Sequence, residues 1–456
     1  MTSPGGHWEV VSGWGLTPRS AARVVRPTTA AELAAAGPAA GRRGVIARGL
    51  GRAYGDSAMN AGGTVAVTTG VSGLLALDDA TGAARVLAGT SLDDLMRAVV
   101  PRGWFPPETP GTRYNTVGGA IAADVHGKDH HAAGSFGRHV RSLVLARPDG
   151  STATLTPEAT PDAFWATCGG MGLTGTVVEA TVGLYPIPTG RLLVDTDRVP
   201  DLDTLLVLLR EGGARHRYSV AWVDLLATGR HLGRAVLTQG DFAPVEALPS
   251  AARHRDPLHY GPPEPLPAPP LPSGALNRLS IRAFNELYYR YAPRRRRDEV
   301  QSITRFFYPL DMAGGWNRWY GDRGFLQWQF VLPFGEEALL RSIVEALAGH
   351  DAGSFLTVLK YFGDASPGHL SFPGPGWTLS LDVPARTRGL AELLDGLDRQ
   401  VAGAGGRVYF AKDSRMRPEL VPVMYPRLDE WRAVRDGLDP DRHITSDLAR
   451  RLRLLG

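Results

Sequence analysis

Apolar and polar positions along this chain repeat at both the strand and the helix period. Residues 45–48, 64–68 and 84–88 read as short strands. Thr28 and Thr29 ahead of an alanine-rich run, and Ser91 ahead of Leu92 to Met96, are capped helix starts, the second helix ending at Pro101. A helix opens at Thr160-Pro161, and 176–184 alternates as a strand. This order suits an α+β domain with mixed sheets rather than a doubly wound sheet. From Arg191 the texture changes. The pattern predicts helices over 202–210, 336–348 and 389–402, and strands over 218–225, 233–238, 324–333, 354–361 and 376–384, which make a second α+β unit. The proline-rich stretch 261–272 reads as a linker or mobile loop. Helices are expected over 426–435 and 446–454, and no internal repeat is visible.

The 456 residues, 43% apolar and 21% charged, fit two to three domains of a globular protein. Fifty basic against 46 acidic residues leave a net charge of +4, too even for a nucleic-acid footprint. The single cysteine, Cys168, excludes a disulfide framework or thiol metal cluster. Met1 to Gly15 lacks a basic stretch followed by an apolar one, and no window of eighteen apolar residues occurs, so a cytoplasmic, non-spanning protein is expected. Of the fifty basic residues only Lys128, Lys360 and Lys412 are lysines. A lysine that persists in a chain built on arginine is a candidate for work needing a compact, deprotonatable ammonium. All three sit among apolar, aromatic and polar neighbours, unlike a solvated helix face.

Three glycine-rich segments lie in the first half. Gly49 to Gly55 follows a strand and can present consecutive backbone N–H groups to an anion. Pro110-Gly111-Thr112 and the run from Thr116 through Gly118, Gly119, Ala122 and Ala123 to His126 use small residues, as backbone lying against a planar ligand requires. The letters of Gly170 to Gly175 match G-x-G-x-x-G, but a helix precedes them and a strand follows, the reverse of a dinucleotide fold. His126, Asp129, His130 and His131 do not share a helix face, and no metal site is expected.

These segments, with His126-Gly127-Lys128-Asp129-His130-His131, the run Gly324 to Phe330, Leu370 to Trp377 and Ala411-Lys412-Asp413-Ser414-Arg415, resemble the vanillyl-alcohol oxidase superfamily with its PCMH-type FAD-binding domain. Nearly end to end, they resemble its decaprenylphosphoryl-β-D-ribose 2′-oxidase subfamily. The resemblance implies a PCMH-type FAD-binding domain over 1–190, an α+β substrate domain with an antiparallel sheet over 191–406, and a segment 407–456 returning to the first domain. It places Gly49, Gly51, Arg52, Ala53, Tyr54, Gly55, Asp56 and Ser57 at the FAD pyrophosphate. Gly111, Thr112, Thr116, Gly118, Gly119, Ala122, Ala123 and His126 fall along the flavin, with Gly172, Gly175 and Val177 completing the cofactor contacts toward the adenine. Relatives that attach FAD covalently use a histidine in the first loop; Tyr54 there implies noncovalent FAD. Two departures fall on the substrate side: Thr378 and Ser380 stand where the subfamily has Asn-x-Cys, and Phe307 where it has tyrosine.

The implied reaction oxidises a ribose 2′-hydroxyl to a ketone, the first half of an epimerisation in cell-wall arabinan synthesis that a separate NAD(P)-dependent short-chain reductase completes. Lys412 is the expected cation at the reduced flavin, and Tyr54 and His126 are the other proton-handling groups. Lys128 and Lys360 are expected on the substrate phosphate, Gln327 and Gln329 on its hydroxyls. Two alternatives stand beside this: an FAD oxidase for a soluble sugar or nucleoside, and a flavin-binding protein without turnover. Peripheral membrane contact, through 261–272, is a further open expectation.

Overall fold

A computed structural model describes residues 6–250, 256–269, 271–272, 274–350 and 352–456. Among these, the strands form three main sheets. The first is mixed, in the order His7–Ser12, Arg19–Val25, Thr64–Val67, Val45–Arg48, with one antiparallel and two parallel pairings. The second is antiparallel, in the order Leu74–Asp78, Ala83–Leu87, Thr176–Gly183, Val140–Ala146, Thr152–Leu155. Ser91 caps the helix Leu92–Val99 by accepting from the Asp94 amide, and Val100 and Pro101 continue as a single 3-10 turn that Gly103 closes.

The third sheet has eight antiparallel strands: Arg295–Ser302, Arg191–Val199, Ala235–Phe242, Tyr218–Val223, Thr357–Phe362, Gly376–Pro384, Phe325–Pro333 and Arg407–Val408. The helices Leu202–Gly213, Glu337–Gly349 and Leu390–Gly403 pack their leucines into its core. The register sorts the polar residues onto shared rows. Gln327 pairs with Asp382 and Gln329 with Ser380; Ser380 pairs onward with Val358, and Thr378 with Lys360. Val358 pairs with Trp222, Trp222 with Val236, and Val220 with Thr238. With period-two alternation, these residues form one face of the sheet.

The C-terminal segment crosses back to the first sheet. Ile444 bridges Val45, and Arg451 binds both Asp56 and Asp413 at 2.8 Å. The stretch expected to be a linker is instead tied down along the described part of 261–272. Leu266–Pro267 pairs with Ala313–Gly314, Pro263 O accepts from Arg113, and Pro269 O accepts from the Trp319 indole. Among the elements that escape the sequence pattern are the helix Arg278–Tyr291 and the strands Arg191–Val199 and Arg295–Ser302. No helix among the described residues is long and apolar enough to cross a membrane.

Candidate active site

A cavity of about 830 Å³ opens between the first two sheets and the polar face of the third, within the range of small-molecule sites. One wall is glycine-rich. Gly51 has φ +67, where a side chain would strain the backbone and drive a Cβ to 2.4 Å from the Arg48 guanidinium. The amides of Gly51, Arg52, Ala53, Ser57 and Ala58, all on this wall, donate to no protein acceptor among the described residues. The buried Nε of Arg52 is likewise unpartnered. Five free amide donors beside a guanidinium fit a pyrophosphate. Gly111, whose Cβ would meet nothing within 4 Å, continues the wall with Thr112, Thr116, Gly118, Gly119, Ala122 and Ala123. The Thr116 hydroxyl caps the helix Val117–Ala122, accepting from the Gly119 amide. Gly49, Gly172, Gly175 and Val177 also line the cavity. The residues present therefore fit FAD.

Gly55 and Asp56 do not line the cavity. Gly55 packs so closely on the Asp413 carbonyl that a Cβ would lie 2.0 Å from it, and Asp56 turns its carboxylate to Arg451. Their work is to fasten the loop to the C-terminal segment.

The opposite wall is the polar sheet face, and all three lysines reach it. Lys412 Nζ lies 4.0 Å from the centre of the Tyr54 ring. Burial lowers its pKa to about 7, and the Asp382 carboxylate pushes back. Asp382 is itself raised to about 7 by burial, while it accepts a hydrogen bond from the Gln327 amide. Burial holds the Tyr54 phenol well above its usual pKa. Lys360 donates to Gly127 O at 2.7 Å and to His126 Nδ1 at 3.2 Å; burial brings it down to about 8. His126 is held well below its usual pKa, by burial and then by Lys360, so its ring is neutral. The Gln329 amide nitrogen lies 3.0 Å from His126 Nε2 and donates to the Thr378 hydroxyl. Lys128 donates to Phe306 O and lies 5.6 Å from the Phe307 ring; burial lowers it to about 7. Thr378 sits 3.1 Å from the Gln329 amide, and Ser380 and Phe307 line the same wall. His130 is buried against the Phe362 ring with no hydrogen-bond partner and lies outside the cavity lining, and no group of three or more metal-binding side chains occurs among the described residues.

Several residues of the site carry no motif. Asp382 is one, although it shares the two-residue period of Thr378 and Ser380. Asp311, in the segment Pro309–Met312 that shares the family resemblance, is given no role by the sequence; it accepts from the Thr112 hydroxyl and the Arg113 amide at 2.8 Å each and fixes the glycine wall. Behind Gly127, Glu108 and Asp129 are buried; Glu108 is raised well above its usual pKa, first by burial and then by Asp129. Beyond the polar cluster the cavity runs into an arm whose apolar wall is Val220, Trp222, Val236, Tyr288, Tyr291 and Pro293, with Thr196, Thr238, Glu299, Gln301, Arg296 and Arg305 also lining it.

This glycine-walled cavity facing a polar sheet is the site of an FAD-dependent oxidoreductase, and residues 21–156 match the FAD binding domain family. The chain is 44% identical over 450 residues to the decaprenylphosphoryl-beta-D-ribose oxidase of Mycolicibacterium smegmatis, covering 97% of both chains. It therefore belongs to the decaprenylphosphoryl-β-D-ribose oxidase family. A Streptomyces coelicolor chain named "Uncharacterized protein in mprA 5'region" is 45% identical over 374 residues, 80% of this chain and 100% of that one. Cytokinin dehydrogenase 4 of Arabidopsis thaliana is 29% identical over 151 residues, 32% of this chain and 29% of that one.

Proposed function

We propose that this protein oxidises the 2′-hydroxyl of a polyprenylphosphoryl ribose to the 2′-ketone. The observation that carries the reading is the shape of the cavity, a polar cluster of lysines, glutamines and Asp382 that opens into an apolar arm. A soluble nucleoside would leave that arm unfilled, so the lipid-linked sugar is preferred.

Bound FAD, held without a covalent link by the free amides of Gly51 to Ala53, Ser57 and Ala58, supplies the hydride acceptor. The chain supplies the rest. Lys412 provides the cation at the border between the glycine wall and the sheet, where negative charge develops, and Asp382 keeps it protonated near neutral pH. The buried Asp382 carboxylate, raised from its usual range by burial, takes the proton that leaves the hydroxyl. Tyr54, its phenol held protonated, donates a hydrogen bond and closes one side. Gln327 and Gln329 bind ribose hydroxyls, and the neutral His126, oriented by Lys360 and Gln329, fixes their positions. Lys128 and Lys360 face the phosphate oxygens. The ketone leaves for a separate nicotinamide-dependent reductase that returns the inverted epimer.

The test is mass spectrometry of the product after purified protein is incubated with polyprenylphosphoryl ribose and an artificial electron acceptor. A product lighter by two hydrogens is expected; conversion of free nucleosides alone would replace this reading with the soluble-substrate one.

A further inference from the structure

The helix Arg278–Tyr291 is built inside out. Ile281 and Asn285 are buried, and the Asn285 amide donates to Asp224 at 2.8 Å, so this side is docked on the protein. Phe284 leans on Phe355 and Tyr288 on Trp222, with ring centres 5.9 and 4.6 Å apart. At a helical period, Leu279, Ala283, Leu287 and Tyr291 then fall on the far side. Leu279 is 79%, Leu287 69% and Tyr291 95% exposed, and half-covered Phe284 borders them. An apolar stripe on the outside of a helix is unfavourable in water unless something covers it.

Charge says what covers it. Residues 278–299 carry seven arginines against Glu286, Asp298 and Glu299. Arg294, Arg295, Arg296 and Arg297 follow the helix after Ala292 and Pro293, and Arg282, Arg294 and Arg295 are exposed with no ion pair among the described residues. A second copy packed on this face would bring like charges together. An anionic bilayer accepts both parts, the stripe entering the headgroup boundary and the guanidiniums binding phosphates.

The location is also informative. Tyr288, with Pro293 and Arg296 just past the helix end, lines the cavity's apolar arm, and Tyr291, the last residue of the exposed stripe, stands at its mouth, so the inner edge of this helix is a wall of the cavity whose outer face is the stripe. We propose that the outer face of Arg278–Tyr291, with Arg294 to Arg297, docks the protein on an anionic lipid bilayer and sets the apolar arm at the headgroup plane. A lipid-tailed substrate then enters without its tail crossing water. The proposal rests on the proposed function only for why a bilayer is useful. Vesicle binding is measured without substrate, so its failure leaves the sugar chemistry untouched.

The experiment is co-sedimentation of the FAD-loaded full chain with vesicles of phosphatidylcholine alone or mixed with phosphatidylglycerol. The expected result is at least tenfold stronger binding to the anionic vesicles, weakening as salt is raised. Replacing Leu279 and Leu287 with glutamate should lower that binding about tenfold or more, and so should Arg294→Ser with Arg295→Ser, both variants keeping their flavin content. Absent or equal binding to the two vesicle types, or unchanged binding in both variants, overturns the proposal. A concentration-dependent dimer of the wild type that Leu287→Glu dissociates, with no vesicle binding, makes the stripe a chain–chain interface instead and overturns it as well.

Discussion

The ammonium of Lys412 lies over the Tyr54 ring, 4.0 Å from its centre, and joins the C-terminal Ala411-Lys412-Asp413 turn to the first glycine loop. Tyr54 N donates to Ala411 O at 2.9 Å, so backbone and side chain hold the same two segments together. A cation fixed in this way costs no reorganisation when charge develops beside it.

Lys412→Ala should therefore bind FAD and fail to reduce it with substrate, a loss of about 10²-fold or more, worth roughly 3 kcal/mol. Lys412→Arg should fail as well, because a planar fork does not occupy the place of a point charge over the ring. Anaerobic single-turnover measurements check both; reduction at the wild-type rate in either variant removes Lys412 from its role.

FAD should come off intact on acid or heat denaturation. The loop from Gly49 to Ser57 contains no histidine or cysteine, and the buried Cys168 does not line the cavity. Flavin that stays on the precipitated polypeptide would contradict this.

Ser380 shares the cavity wall with Lys360 and Gln329 but lacks a nucleophilic sulfur. Electrophiles that become thiol-reactive on reduction should leave the wild type unmodified, since burial pushes the Cys168 thiol up and keeps it protonated. Ser380→Cys should gain one adduct by intact mass and keep most of its activity. An adduct on the wild type, or an unreactive Ser380→Cys, would move this strand away from the flavin.

Lys128 gives a pH prediction with a definite sign. Its folded pKa is lowered to about 7 from 10.5, so between these values the unfolded chain holds a proton that the folded chain has lost. Stability from this group then rises with pH, by up to about 1.4 kcal/mol per unit. Thermal melts of wild type and Lys128→Met from pH 7 to 10 should shift in favour of the wild type as pH rises; parallel curves would contradict the burial of this lysine.

The strands Phe325–Pro333 and Gly376–Pro384 and the helix Leu390–Gly403 are readable to within a residue or so, because each carries an uninterrupted apolar period. The glycine wall is readable because its chemistry is local. Asp382 is not, since apolar residues on both sides of its strand hide which face carries the site. Glu108 is invisible because its partner Asp129 is brought to it only by the fold. The helix Arg278–Tyr291 escapes because its apolar side faces outward, and the strand after it because consecutive arginines at a sheet edge show no alternation. Gly55 and Asp56 look like cofactor contacts by their place in the loop, yet the return of Arg451 from the far end of the chain claims Asp56.

The most direct test of the account is anaerobic mixing of the FAD-loaded protein with polyprenylphosphoryl ribose while the flavin absorbance is followed. The account predicts rapid loss of the oxidised flavin band in the wild type, slowed when the ribose C2′ hydrogen is replaced by deuterium, and no loss in Lys412→Ala. A flavin that stays oxidised with the lipid-linked ribose, but is reduced by a free sugar or nucleoside, would contradict it.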